Sequence, residues 1–385
     1  MTVETVSLGC RLNFAEAETI ARSAPTDQHW VVVNSCAVTN EAVRQTRQAI
    51  RRARRRRPDA RILVTGCAAD LDRGSFERMP EVSRVVANPQ KLRTFDAKTS
   101  LVAAGSHSQV RSFVAIQNGC DHRCTFCSIW QARGRSMSLP FEGIRDTIAR
   151  ELDRGAKEIV LTGVDITDYN GGLGVLCQRL LAAEPRLKRL RLSSLDSIEI
   201  DDALFELLPD SRLMPHFHLS LQAGDDMILK RMKRRHSRRQ AVAAVARIKD
   251  VRSDATIGAD LIAGFPTETE AMALKSLKLL DDCDVIAAHI FPFSPRPNTP
   301  AARMPQLSRE LVKARAARLR RASEARRTEW LECLVGTAQR VLVESGGKAH
   351  TDAFAPVKVP GAQRGEIRMV RIAGRDGDHL IGVTE

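Results

Sequence analysis

Hydrophobic and polar positions alternate along this chain in two long series and one short one. From Thr2 to about Val86, short apolar runs (TVETVSL, WVVVNSC, RILVTGC, VSRVVAN) are separated by polar stretches with helical spacing (AEAETIARSA, AVRQTRQAIRRA). Short apolar runs bounded by turns read as strands, and strands alternating with helices predict a small parallel α/β domain over residues 1–95. A polar stretch without clear period, about Phe95–Gln109, reads as a linker. From Val110 the alternation resumes, with RSFVAIQ, KEIVLTGV, LKRLRLSSL, HFHLSL, DATIGADLIAGFP and VIAAHIFPF as strands. Helices fall near Glu142–Arg154, Gly174–Ala183, from Asp201, through a basic segment to Lys249, and over Glu268–Leu280. That gives about six βα units across 110–307, fewer than the eight of a closed barrel, so an open, partial (β/α)6 barrel is expected. A long basic helix, 308–334, then connects to 335–385. There TAQRVLVE, GEIRMVRIAG and HLIGVTE, separated by Gly, Asp and Pro turns, predict a small all-β unit.

Composition narrows the class. With 385 residues, 43% of them hydrophobic, the chain is long enough for two or three domains. It has no basic start followed by an apolar run and no stretch of about 18 apolar residues, so a cytoplasmic protein without membrane spans is expected. The net charge of +14 points to a polyanionic partner, most simply nucleic acid. The excess is concentrated in Arg44–Arg61, Leu229–Arg239 and Arg309–Arg327, and three such runs together form an expected footprint for phosphate. Aromatics make up only 4%, which argues against extensive base stacking.

The chemistry sits in the cysteines. Nine of them, an odd number in a large chain expected to be cytoplasmic, favour metal ligation or catalysis over disulfides. NGCDHRCTFC holds Cys120, Cys124 and Cys127 as Cys-x3-Cys-x2-Cys. A structural zinc site needs four ligands, and no second pair or suitably spaced His completes one here; His122 reads as a loop residue. Three thiolates on a four-iron cluster would leave one iron open. Cys10, Cys36 and Cys67 each follow a predicted strand, which puts them on one edge of the N-terminal sheet, the edge where open α/β sheets bind ligands. Cys177, Cys283 and Cys333 lie in helical or apolar surroundings and read as packing residues.

Cys120-x3-Cys124-x-Phe126-Cys127 after the first barrel strand resembles the cluster loop of radical S-adenosylmethionine (SAM) enzymes. LGCRLN, VVVNSCAVTNEAVRQTRQAIRRA and VTGCAAD resemble the N-terminal domain of the methylthiotransferases within that superfamily, and EIVLTGVDITDY, HLSLQAGDDMILKRMKRRH, IGADLIAGFPTETE and FPFSPRPNTPA resemble their radical SAM core. The C-terminal β unit stands where they carry a TRAM domain. CAVTN with the arginine-rich helix after it looks most like the branch that methylthiolates N6-threonylcarbamoyladenosine at position 37 of tRNA. The sequence departs from the family pattern at CSIWQARG, which lacks a proline, at TGCAAD, which lacks an aromatic, and at Asn298, where glycine is usual.

The resemblance implies two [4Fe-4S] clusters, one on Cys120, Cys124 and Cys127 with SAM on its open iron, the other on Cys10, Cys36 and Cys67 holding the sulfur to be transferred. It implies SAM contacts for Phe126, Thr162 and Gly163, SAM or substrate contacts for Ser194 and Gln222, and phosphate or SAM-carboxylate contacts for Arg133 and Arg135. Its partners would be the tRNA anticodon stem-loop, an electron donor such as a flavodoxin or ferredoxin, and a sulfur donor. The competing readings are the same chemistry on isopentenyl-adenosine tRNA or on a ribosomal-protein aspartate, and a non-catalytic zinc-containing RNA-binding protein.

Overall fold

The structure, a computed structural model, describes residues 3–25, 28–95 and 110–384; the linker read over 95–109 lies, beyond Phe95, outside the described residues. The first series folds as β1 (Glu4–Ser7), α1 (Arg11–Ser23), β2 (Trp30–Ser35), α2 (Asn40–Arg56), β3 (Arg61–Gly66), α3 (Cys67–Leu71), α4 (Arg73–Glu77) and β4 (Arg84–Val85). The four strands pair in parallel in chain order. β2 is buried along its whole length, which is why WVVVNS reads as a continuous run rather than an alternating one.

The second series gives β5 (Arg111–Ala115), β6 (Gln117–Asn118), α5 (Ile129–Arg133), β7 (Met137–Ser138), α6 (Phe141–Asp153), β8 (Glu158–Thr162), α7 (Leu173–Ala183), β9 (Leu190–Leu192), α8 (Asp202–Leu207), β10 (His216–Gln222), α9 (Asp226–Met232), α10 (Arg238–Val251), β11 (Thr256–Ala263), α11 (Glu270–Asp282) and β12 (Val285–Pro292). β5-β8-β9 and β10-β11-β12 are each parallel, and bridges Leu190–Leu213 and Leu195–Leu219 join them into one open six-strand arc. The arc is the expected partial barrel.

α12 (Arg309–Cys333) closes its exposed edge. Ser323 Oγ accepts from Ala288 N at 3.0 Å, Arg320 donates to Ile290 O at 3.0 Å and Arg326 to Val285 O at 2.9 Å. An edge strand has unpaired backbone groups, and this helix supplies partners to several of them.

The last unit is a closed barrel of β13 (Ala338–Val343), β14 (Lys348–Thr351), β15 (Pro356–Lys358), β16 (Ile367–Asp376) and β17 (His379–Val383), in the order β13-β14-β15-β17-β16. β14 and β15 are too short to show a period and were not legible in the sequence. Their connecting turn presses into the N-terminal mouth of the partial barrel. Thr256 Oγ1 donates to Ala353 O at 3.0 Å and Arg191 to Asp352 O at 3.1 Å, while Arg189 pairs with Asp352 and Arg111 with Glu344. Phe354, at φ +74°, stacks between His216 and His350 with Arg191 4.7 Å from its ring centre. Behind it Glu158, fully buried, binds Arg111, Arg189 and Arg191 at 2.8–3.0 Å. One end of the barrel is sealed by charge and an aromatic plug.

Candidate metal centres

The other end carries the cysteines. Cys10 caps the start of α1, Cys36 follows β2 directly and Cys67 opens α3 directly after β3. Because β1, β2 and β3 are parallel neighbours, all three thiols gather at one edge, and the charges of Cys10 and Cys67 both act on Cys36. Burial pushes Cys36 up to about 11. The gathering depends on glycine: Gly9, at φ +90°, lies so close that a Cβ there would sit 2.5 Å from Cys36 Sγ.

Cys120, Cys124 and Cys127 lie in the loop between β6 and α5. Burial pushes Cys120 up to about 11 and Cys127 up to about 12, whereas at Cys124 hydrogen bonds from His122 and Arg234 outweigh burial and lower it. His122 is more than a loop residue. Its Nε2 lies 3.0 Å from Asp165 and 3.2 Å from Glu199, and its Nδ1 3.6 Å from Asp196. Burial opposes its charge, but Asp165, Cys124 and Glu199 push it up to about 12. With Nε2 within hydrogen-bond reach of Asp165 and Glu199, the ring is engaged by carboxylates instead of standing spare as a fourth ligand to the cysteines. Asp165, Asp196 and Glu199 escaped the sequence reading; the available signal was an acid just beyond each of two strands, as in LTGVD and SSLDSIE.

Arg133 joins the two centres, a place different from the phosphate or SAM carboxylate expected of it. Its Nε donates to Cys67 Sγ at 3.3 Å, and its other nitrogens donate to Glu16 at 2.9 and 3.0 Å, Asn13 at 2.5 Å and Asn118 at 2.8 Å. Glu16 also binds Lys91 at 2.5 Å, and both arginine and lysine hold its carboxyl at about 2 against the effect of burial. All three side chains are almost wholly buried. Arg135, by contrast, is exposed and 3.8 Å from Asp121.

The remaining expected site residues spread along the same barrel end. Thr162 is buried at the end of β8, its carbonyl accepting from Ile116 N at 2.9 Å. The space beside Gly163 is filled by Gln117, 2.9 Å from where a Cβ would stand. Ser194 is exposed beyond β9, and Gln222 ends β10 at φ +65°. Phe126 packs with Ala223, Ile262 and Phe291 in a small apolar group. Cys177 and Cys283 are buried as expected, but Cys333 is exposed at the end of α12.

The basic runs divide. In the second, Arg234 binds Asp196, Arg235 binds Glu199 and Arg238 binds Asp282. In the third, Arg315 binds Glu268 at 2.8 Å, Arg318 binds Glu270 and Arg326 binds Asp281 and Asp284. The first run is paired as well, Arg44 with Glu41, Arg47 with Asp72 and Arg56 with Glu4, so each of the three runs divides between cations engaged by acids and cations left exposed. On α2, Arg52 and Arg55 stand exposed outside the face that buries Ala49, Ile50 and Ala53.

The Radical SAM superfamily matches residues 114–280, and the uncharacterized protein family UPF0004 matches 2–87. The threonylcarbamoyladenosine tRNA methylthiotransferase MtaB of Rickettsia prowazekii is 41% identical, across 92% of this chain and 91% of its own. Its namesake from Thermotoga maritima is 33% identical, covering 79% and 77%. The tRNA-2-methylthio-N(6)-dimethylallyladenosine synthase of Erythrobacter litoralis is 31% identical, covering 99% and 93%. In fold the chain is similar to the radical S-adenosylmethionine methyltransferase TsrM of Kitasatospora setae, with a TM-score of 0.56 over 74% of this chain and 68% of that one at 14% identity. The chain belongs to the radical SAM methylthiotransferase family, on its MtaB branch.

Proposed function

We infer that the chain inserts a methylthio group at C2 of N6-threonylcarbamoyladenosine at position 37 of tRNA. The observation that carries this is the relative of that name, 41% identical over nearly the full length. Each of two sites offers three thiols, and at the radical SAM loop the nearest other donors, His122 and Asp165, are bound to one another. Such donor sets fit [4Fe-4S] clusters that each keep one iron free, with SAM held at Cys120, Cys124 and Cys127. Bound, these groups supply a radical able to take hydrogen from an aromatic C–H, together with sulfur and a methyl group.

The chain's own residues position and exclude. Thr162, Gly163, Ser194 and Gln222 line the strand ends around that loop, and Phe126 closes it from the apolar side, an arrangement that supports a role for each in holding SAM or substrate. Arg133 fixes the cluster loop to the auxiliary cysteines through Cys67 and Asn118. α2 presents the cations for the anticodon stem-loop. An electron donor such as a flavodoxin or ferredoxin and a separate sulfur donor complete the cycle, in the cytoplasm where tRNA is modified. No helix among the described residues is long and apolar enough to cross a membrane.

Mass spectrometry of nucleosides from a deletion strain tests this reading. The 2-methylthio form of threonylcarbamoyladenosine should vanish while the unthiolated form accumulates, and the plasmid-borne gene should restore it. Loss of the methylthio group from dimethylallyladenosine instead would assign the chain to the other branch.

A further inference from the structure

A second polar group stands in the barrel lumen, apart from the cysteines. Phe217, Leu219 and Leu221 of β10 and Ile257, Ala259 and Leu261 of β11 face the helices in the core, so the alternate residues face the lumen. Among these, His218 Nε2 lies 2.9 Å from Asp260 Oδ1, and His289 Nδ1, on the strand paired with it, lies 3.1 Å from the same oxygen. The site is built for these rings: a Cβ on Gly258 would stand 2.5 Å from His218 Nδ1. Two residues further along, Ile262 and Phe291 share an apolar group with Phe126 of the cluster loop. The His–Asp–His group therefore lies about 7 Å beneath the layer that contains Phe126. On its other side the lumen is closed by His216 stacked on Phe354. The group is thus a floor beneath the cluster loop, open to solvent at His289.

An ionised carboxylate only accepts hydrogen bonds, and the two imidazoles hold Asp260 far below the ordinary range against the effect of burial. Both rings therefore donate to Asp260 and present their opposite nitrogens. That of His218 is shut against Gly258, whereas His289 is 68% exposed and its Nε2 points away from Asp260. With a second proton, His289 becomes a cation between Asp260 and an incoming anion, the arrangement of a charge-assisted hydrogen bond. Arg320, anchored to the carbonyl of the next residue, Ile290, adds a second cation at this edge.

We propose that His289, oriented by Asp260 and His218, is the specificity-determining residue that binds the carboxylate of the N6 substituent on the target adenosine. This rests on the function proposed above and explains a choice between the two named relatives. The threonylcarbamoyl group is polar and ends in a carboxylate; a dimethylallyl group is hydrocarbon and would bury against this floor while leaving its polar groups unpaired. Sites built around a polar substrate group reject the analogue lacking it far better than apolar pockets discriminate by size.

The test is binding of anticodon stem-loops to the reconstituted full chain, which does not depend on turnover. Wild type should bind the stem-loop carrying threonylcarbamoyl-A37 about tenfold or more tighter than the one with unmodified A37, the worth of one charge-assisted bond. His289→Phe and His289→Ala should abolish that preference, leave affinity for the unmodified stem-loop unchanged, and retain iron content and SAM cleavage without tRNA. The proposal is overturned if wild type has no preference, or if both variants keep it. It is also overturned if equilibrium dialysis against Co(II) leaves one cobalt per chain that Asp260→Asn loses, because the group is then a cation site. Failure of the functional reading appears separately, in the nucleosides of the deletion strain, which would then keep the 2-methylthio form of threonylcarbamoyladenosine and lose another methylthio nucleoside.

Discussion

The two cysteine sets reach similar donor chemistry by opposite routes. Cys120, Cys124 and Cys127 fall within eight residues of one loop, so their proximity is a property of the local chain. Cys10, Cys36 and Cys67 are each more than twenty residues apart and meet only because three parallel strands end side by side. The first set needs a loop; the second needs a folded domain. The second should therefore be the one that fails when packing is disturbed, and Arg133 is where a disturbance of either reaches the other.

The largest effect is expected at the loop. Cys124→Ser should abolish both SAM cleavage and thiolation, measured as 5′-deoxyadenosine and modified nucleoside, since each depends on that centre. Arg133→Met comes next, because it leaves Glu16 buried beside Lys91 and strips Cys67 of its donor. Removing one partner of a buried ionic network costs about 3–5 kcal/mol, read from urea denaturation. Iron should be lost preferentially from the N-terminal centre; equal loss from both would mean that Arg133 does not distinguish them.

A control of similar size lies at the opposite end of the barrel. Glu158→Gln should destabilise by several kcal/mol at pH 7, since Arg111, Arg189 and Arg191 lose their shared carboxylate. It should leave both iron counts intact in the protein that remains folded. Burial alone would raise the Glu158 carboxyl, but Arg191, Arg111 and Arg189 hold it well below the ordinary range. A group whose folded pKa lies below its unfolded value stabilises above the unfolded value, about 4.3 for Glu. Its contribution fades as pH falls from there toward the folded value. The stability gap between wild type and variant should thus be full at pH 7 and narrow progressively below about pH 5.

Smaller effects sharpen the same contrast. Gly9→Ala forces a Cβ against Cys36 at a positive φ. It should cost about 1–3 kcal/mol and weaken only the N-terminal centre, by iron analysis. Arg52→Ala and Arg55→Ala, on the exposed face of α2, should change stability within about 0.5 kcal/mol. Each should lower the salt slope of tRNA binding by about one.

What was legible followed from this difference. Spacing alone marked the loop at Cys120–Cys127, and strand-end placement marked Cys10, Cys36 and Cys67, because both are visible once strands are recognised by their apolar runs. The six barrel strands were readable for the same reason. Arg133 was misplaced because its partners, Asn13, Glu16 and Cys67, lie on two other elements and no periodicity relates them. The second and third basic runs looked free because their acids, Asp196, Asp282, Glu268 and Asp284 among them, are distant in sequence. β14 and β15, three or four residues long, exist because the closed barrel pairs them, and His218, Asp260 and His289 converge only through strand register.

The central claim is that two separate three-cysteine centres do separate work. It is tested most directly by replacing Cys10, Cys36 and Cys67 together with serine and measuring iron, 5′-deoxyadenosine and thiolated nucleoside on one anaerobically reconstituted preparation. The account predicts that iron falls by about half, that SAM cleavage persists and that no methylthio product forms, because one cubane holds four irons and each centre holds one. Full iron content with product still formed, or loss of SAM cleavage in a folded protein that keeps half its iron, would contradict it.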